Sequence, residues 1–583
     1  MKKIKLSLIG ISLATAVLAG CNDEGAFSDS KYDVITESSD PGNGLVQIPS
    51  RKPRAYIKEI YSHDLAFAAL TNEGKVITWT DVFGSDSSAD SASLKDIISI
   101  TPNQSAFAGL TKDGNVLTWG SDTFGNDSSA VSASLKNIVS ISSNTKTFAA
   151  LTKDGKVVTW GKDIHGGDSS SVSALLENVV SIHSTSSSFT ALTKDGKVIS
   201  WGEPLTGGDS SSVTVDNIIS VSATIGAFAG LTSDGKVVTW GSKYSGADST
   251  AVSSDLNNIV SITAGQTAFA AINKDGKVIT WGDEGSGGDS SPVSTLLENV
   301  VSISTSDHAF AALTKDGNVV TWGSKTFGGD SSSVSALLNN IVSITSNGAA
   351  FAALKQDGTV ITWGMASHGG DSASVSSSLN NVVSINSTQR SFAALKQDGT
   401  VVTWGDQTTG GDSSSVSASL ENVISLTSST GAFVALTKNG KVVAWGDEAF
   451  GGNASEVQDE LDRYTFDSSF YPNLDRDGDG LSDAEEIASC DYTAPLGRNL
   501  KQCLDPAKWD TDGDGVSDGF EYLNGSNPLH PISDLINRNG VLASKPQAND
   551  GVLFDASTGW IEPIQHWYGD TNADGFSDHW RLN

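Results

Sequence analysis

The chain reads as an all-β repeat array of ten units of about 41 residues, followed by a small acidic segment. Three observations carry this reading. A Trp recurs at Trp79, Trp119, Trp160, Trp201, Trp240, Trp281, Trp322, Trp363, Trp404 and Trp445, in steps of 40, 41, 41, 39, 41, 41, 41, 41 and 41. A fixed period of this length marks units that cannot bury their own apolar face and must stack on the next. Each copy also holds short apolar runs separated by turn residues, as in Ile138-Val139-Ser140-Ile141, Phe148-Ala149-Ala150-Leu151 and Val157-Val158-Thr159-Trp160-Gly161. Finally, 60 Gly and 18% charged residues in 583 indicate a turn-rich β protein, and the length exceeds one ordinary compact core. The net charge of −31 repels nucleic-acid phosphates and anionic lipid, so nucleic acid is not an expected partner.

The N-terminus has its own pattern. Lys2, Lys3 and Lys5 precede an apolar run from Leu6 to Ala19, of secretion-signal length and too short to span a bilayer stably. The run ends Leu18-Ala19-Gly20-Cys21, which resembles a bacterial lipoprotein lipobox. That resemblance implies a signal peptide over residues 1–20, cleavage before Cys21, and acylation of Cys21 by palmitate-type chains. It also implies sorting to the outer membrane, because Asn22 and not Asp follows the Cys. Two or three acyl chains anchor stably where one would not. The alternative is an ordinary signal peptide that happens to hold a Cys. Residues 21–53 are rich in Ser, Asp, Gly and Pro without period and read as a flexible tether.

Residues 54–464 hold the ten units. Phe-Ala-Ala-Leu and Val-Val-Thr-Trp flank a Lys-Asp-Gly turn, a hairpin signal because Gly tolerates φ > 0. The Ser-rich remainder, such as Ser171 to Asn178, reads either as a fourth short strand or as a helical turn after an Asp or Ser cap. No Lys-rich or Pro-rich device recurs to protect strand edges, so stacking or ring closure has to do so. The copy Phe392-Ala393-Ala394-Leu395-Lys396-Gln397-Asp398-Gly399-Thr400-Val401-Val402-Thr403-Trp404-Gly405 resembles the repeat of the regulator of chromosome condensation family. The short period is closest to its compact secreted branch, which includes the propeller-type β-lactamase inhibitory protein. The resemblance implies β-propeller blades. The family's His before Ala-Leu is mostly Phe here, and the family commonly closes with seven blades. A closed ring and an open, solenoid-like array are therefore both compatible with ten units.

After residue 464 the period stops. Residues 465–529 resemble thrombospondin type 3 repeats of bacterial surface proteins, and residues 530–583 form a C-terminal segment with a partial third element. In the first element Asp475, Asp477, Asp479, Asp483 and Glu486 supply carboxylates and Leu481 a carbonyl, with Gly480 at the sharp turn. In the second the set is Asp510, Asp512, Asp514, Val516, Asp518 and Glu521. Ca2+ takes six to eight hard oxygens, and carboxylates packed so closely repel one another without a cation. The alternative is an acidic solvated linker. The third copy offers Asp570, Asn572, Asp574 and Asp578, but Arg581 stands where Glu should be, so it is a partial metal site at most. Cys490 and Cys503 flank a short loop between calcium elements; export favours a disulfide, with free thiols as the alternative.

Other repeated residues read as scaffold. The Asp of Gly-Asp-Ser-Ser is expected to close its own turn onto backbone N–H groups, and the Trp series to pack in the core. The eight His show no metal spacing, and no Ser stands in a Gly-x-Ser-x-Gly elbow, so no catalytic residue is assigned and the protein is not expected to be an enzyme. The copies disagree in two loops. The loop after Trp-Gly carries Phe83, Phe124, His165, Tyr244, Phe327, His368 and Phe450 as candidate partner-binding residues; drift at unconstrained loop tips is the alternative. The expected function is a lipid-anchored cell-envelope scaffold or adhesion module that binds a protein or glycan, with structural Ca2+. An enzyme inhibitor is the alternative reading on fold analogy, and a guanine-nucleotide exchange factor a more distant one.

Overall fold

The computed structural model describes residues 55–79 and 94–465, with the backbone of 552–555 and 560–563. Ten three-stranded antiparallel sheets follow one another, each in chain order. In the third unit the strands are Ile138–Ser143, Thr147–Thr152 and Val157–Gly161. The Ser-rich stretch is not a fourth strand. In this unit it forms a 3₁₀ turn, Ser170–Leu175, after a shorter one, Asp163–His165, in the loop that follows Trp-Gly. Asp168 accepts the Ser170 N–H at 2.8 Å, which commits the backbone to a turn before a strand can start.

The middle strand explains why the units need one another. It is buried along its whole length, on both faces. One face carries Phe148, paired across the hairpin with Trp160, the two rings stacked at 5.4 Å. The other carries Ala149 and Leu151. The large face of one unit sits on the small face of the unit before it: Phe189 and Trp201 pack on Ala149 and Leu151, as Phe148 and Trp160 pack on Ala106 and Ala108. Burying one such Phe contributes roughly 2–3 kcal/mol, and none of this is available to a lone unit. The Trp ring also spans the joint through its polar edge. Trp160 Nε1 donates to the Gly125 carbonyl of the preceding unit at 3.0 Å, and Trp281, Trp322, Trp363, Trp404 and Trp445 repeat the bond.

The same joint links the last unit to the first. Trp79 Nε1 donates to Gly451 O at 3.1 Å, and Phe67 and Trp79 share one core with Ala432, Val434, Leu461 and Tyr464. Lys75 pairs with Glu460 across the seam. The array is therefore a closed ring of ten blades, closed by sheet packing on sheet and not by one continuous sheet. First strands touch first strands all the way round, including Ile57–Ser62 against Val423–Ser428, so they form the inner wall. Their edges are knitted by hydroxyls: Ser184 Oγ donates to Ser143 O, Ser387 to Ser346, Ser428 to Ser387, and Ser62 back to Ser428, at 2.7–2.8 Å. Closure leaves no outer copy to aggregate through an open end.

The chain divides after Thr465 into two compact units. In the second, Val552–Asp555 pairs antiparallel with Trp560–Pro563.

Candidate binding faces of the ring

Each blade presents a turn to one face of the ring and a hairpin to the other. The turn between first and second strands is built on a polar residue that caps the loop after Trp-Gly in the same unit. Asn144 Nδ2 donates to His165 O at 2.6 Å and Asn103 Nδ2 to Phe124 O at 2.5 Å. Ser306, Asn347 and Ser429 do the same for Phe327, His368 and Phe450. The two variable loops thus lie side by side on one face. Neighbouring turns are then linked by backbone: Asp307 N donates to Gly348 O, Gly348 to Gln389, Gln389 to Thr430, and Thr430 to Asp64 across the seam.

This geometry sorts the candidate loop residues. Phe124, His165, Phe327, His368 and Phe450 are the third residue of the turn after Trp-Gly, and all are half-buried. The Lys146 ammonium lies 5.4 Å from the centre of the Phe124 ring, His308 stands edge-on to Phe327 at 4.5 Å, and Phe450 packs into the contact that Gly431 leaves open. Tyr244 is the second residue of its turn and stands 75% exposed, beside Lys243. The same second position holds Ile164, 57% exposed, and Leu205, 77% exposed, in the two preceding blades. Ile225, in the adjacent turn of the Tyr244 blade, is 47% exposed. In the other described turns this position is Thr123, Gly285, Thr326, Ser367, Thr408 or Ala449. Three consecutive blades therefore form an apolar arc on the loop face. Reading the loops for aromatic character misses Ile164, Leu205 and Ile225; counting four residues from each Trp finds the first two.

Electrostatics on this face come mainly from burial. Burial holds the Asp64 carboxyl above its ordinary range, against hydrogen bonds from Thr430 and Gln104, and holds the Asp307 carboxyl up as well. Burial lowers the His63 imidazole to about 4 and the His183 imidazole, on the inner wall, to about 4. His368 is lowered by burial first and by the Arg390 charge second. Among the described residues, Ser286 is the one buried hydroxyl found against both an acid and a His: it donates to Asp283 Oδ2 at 2.6 Å and lies 2.8 Å from His308 Nδ1. Its proton already has an acceptor, and the contact ties one loop to the next blade. The repeated Asp side chains close their own turns, and the backbone N–H of Ser170, with its hydroxyl, holds the Asp168 carboxyl below its usual range. Among the described residues, no group of three or more His, Cys, Asp or Glu is placed to hold a metal ion, and no helix is long and apolar enough to cross a membrane.

Cys21, Phe83, Cys490, Cys503, the two full calcium loops and the partial one lie outside the described residues.

A family model, the bacterial TSP3 repeat, matches residues 475–489 and 510–531, which contain both full acidic elements. No curated protein sequence matches the chain. Among solved structures, Prp20p from Saccharomyces cerevisiae is 16% identical over 52% of this chain and 89% of its own, with a TM-score of 0.28. Yeast RCC1 (Prp20) bound to Kap60 is 18% identical, covering 46% and 70%, at 0.28. The ectodomain of the Physcomitrella patens receptor kinase CR4 is 17% identical, covering 47% and 73%, at 0.27. The ring described above rests on its own joints and not on these likenesses.

Proposed function

We propose that this protein is a non-enzymatic, lipid-anchored scaffold of the bacterial cell envelope, whose loop face binds a protein or glycan and whose acidic segment is stiffened by Ca2+. The observation that carries the binding reading is the arc of Ile164, Leu205, Tyr244 and Ile225. Large apolar side chains held out on rigid turns bury little in the folded ring and are the residue types that dominate interface energies when a partner covers them. Replacing Leu205 and Tyr244 by Ser should leave the melting temperature unchanged and abolish enrichment of a partner from envelope or host fractions. Enrichment that survives both changes, or none at all with the native ring, removes the reading.

Lipidation of Cys21 and its outer-membrane address rest on the lipobox pattern, and incorporation of labelled palmitate that Cys21→Ser abolishes is the test. The donor set of the acidic elements fits Ca2+: carboxylates at positions 1, 3, 5, 9 and 12, a carbonyl at 7 and Gly at 6 give the hard oxygens this ion takes. Bound calcium would neutralise that repulsion, and Asp475, Asp477, Asp479, Asp483 and Glu486, with the matching second set, would hold it. Chelation should therefore speed proteolysis within residues 470–525 while the ring stays folded; equal cleavage with and without calcium counts against the site.

A further inference from the structure

The opposite face of the ring carries a second surface, built from a β-bulge repeated in every blade. In each inner strand the register slips between the first and third residues, as between Ile138 and Ser140. The second residue is left over, and from the second blade to the ninth its side chain stays out of the joint between blades, whereas Ile424 of the tenth packs against the seam core. From Ile98 in the second blade to Val383 in the ninth this residue is always Ile or Val, and it is 37–59% exposed. Position is fixed by the start of the strand: Ile138 N donates to Gly114 O at the tip of the preceding blade's hairpin, and Val179 N to Gly155 O. Eight apolar side chains thus collar the bore at the level of the hairpin tips, an area of roughly 500 Å2, at the upper end of what a monomer leaves open.

The charge around the collar differs from that of the rest of the ring. The ten hairpin turns carry fourteen Lys against nine carboxylates. The connectors before the inner strands, with the segment that closes the ring, add Lys95, Lys136 and Arg463 against eight carboxylates, Glu460 and Asp462 among them, which leaves the face close to neutral. Among the described residues of the loop face and outer rim, carboxylates outnumber basic residues by more than three to one. Among the described residues of the ring, the hairpin face is therefore the side that a like-charged copy can approach with least repulsion.

We propose that the ring pairs with a second copy of itself, collar to collar, about a two-fold axis. Such a contact is isologous, the commonest arrangement of homo-oligomers. Two collars with their rims approach the roughly 800 Å2 per partner of a stable interface. The acidic loop faces then point away from each other across two ring thicknesses of about 20 Å each, well beyond the Debye length of about 8 Å at physiological salt. The first blade sets the register. There the collar position is Lys58, exposed, followed by Glu59, whose carboxylate accepts the Tyr61 hydroxyl at 2.5 Å. Covering Lys58 with a partner's Val would bury an unpaired charge. Placing first blade over first blade instead gives Lys58 the partner's Glu59, twice over by symmetry.

Sedimentation velocity of the full chain, carrying Cys21→Ser so that no acyl chain adds its own association, tests this over about 1–100 µM. A monomer–dimer equilibrium is expected, stronger near 0.15 M salt than near 0.01 M, where the longer Debye length of about 30 Å lets the acidic faces repel. The pair Val139→Glu and Val180→Glu should weaken it at least tenfold with unchanged melting temperature, because both side chains are exposed. Lys58→Glu should weaken it, and adding Glu59→Lys should restore it. Leu205→Ser with Tyr244→Ser on the loop face should leave it unchanged, which separates this surface from the partner-binding arc. A monomer throughout the range, a dimer indifferent to the collar changes, or one dissolved by the loop-face changes overturns the proposal.

Discussion

His63 shows how far one residue can be read from its equivalents. It stands where Asn103, Asn144 and Asn347 stand in other blades, and its Nδ1 accepts the Leu65 N–H at 3.0 Å as Asn103 Oδ1 accepts that of Ser105. Its ring also rests on Phe107 of the next blade, 4.4 Å between centres. Burial lowers its pKa from 6.5 to about 4, so the folded ring prefers the neutral form. The unfolded chain takes up the proton first as pH falls. Stability is thus fully present above about 6.5 and is lost as pH falls from there to about 4. His63→Asn keeps the accepting atom and removes the titration. Relative to the native protein, the variant should gain about 2 kcal/mol between pH 7.5 and pH 5. Denaturant midpoints at the two pH values measure it; a constant difference between the proteins rules the account out. The sequence marks the repeated Trp and Asp at once, because identity in ten copies of the one and nine of the other is visible. It hides the role of His63, which becomes apparent only when the blades are superposed.

At the level of the element, the hairpin was plain in the sequence. Phe-Ala-Ala-Leu and Val-Val-Thr-Trp are short apolar runs on either side of Asp-Gly, and local turn chemistry decides the outcome. The Ser-rich stretch was ambiguous because Asp and Ser serve a cap and a turn equally well; its contact with the outer strand settles it, where Thr159 Oγ1 donates to Gly167 O at 3.0 Å. The glycine that ends the turn after Trp-Gly is needed twice. Gly207 has φ +99°, and a Cβ there would stand 2.7 Å from Phe228 Cδ2 of the next blade. Gly207→Ala should therefore cost about 2–4 kcal/mol, from backbone strain and displacement of a core ring. Gly285, inside the equivalent turn of another blade, meets nothing closer than the Asp283 carboxylate at 3.4 Å and has no such φ. Gly285→Ala should be neutral or stabilise by a few tenths of a kcal/mol. Urea unfolding of both variants checks the contrast, and equal losses would show that the turn, not the joint, sets the cost.

For the whole molecule, the count of blades was legible in the Trp spacing, but the choice between ring and open array was not, because each joint is specified only by its two neighbours. Closure depends on whether small rotations between blades sum to a full turn, and no single residue encodes that sum. The proposed binding surfaces were obscured for a related reason. Exposure of Leu205 or Val139 follows from where a turn or a bulge sits in the ring, not from residue type. Closure has a measurable consequence. An open array frays from its terminal units, whose outer faces lack a partner. In the ring the first and last blades have two neighbours like the rest. Leu461, at the seam, is fully buried in the core that joins them, as Leu297 is almost fully buried in the core joining two middle blades. Leu461→Ala and Leu297→Ala should each cost about 2–5 kcal/mol and to a similar extent. Amide hydrogen exchange in the native protein should show the middle strands Phe67–Thr71 and Ala432–Thr437 as protected as Ala268–Asn273. Protection that falls away toward the first and last blades, with Leu461→Ala nearly harmless, would mean that the seam opens in solution and that the array behaves as a solenoid.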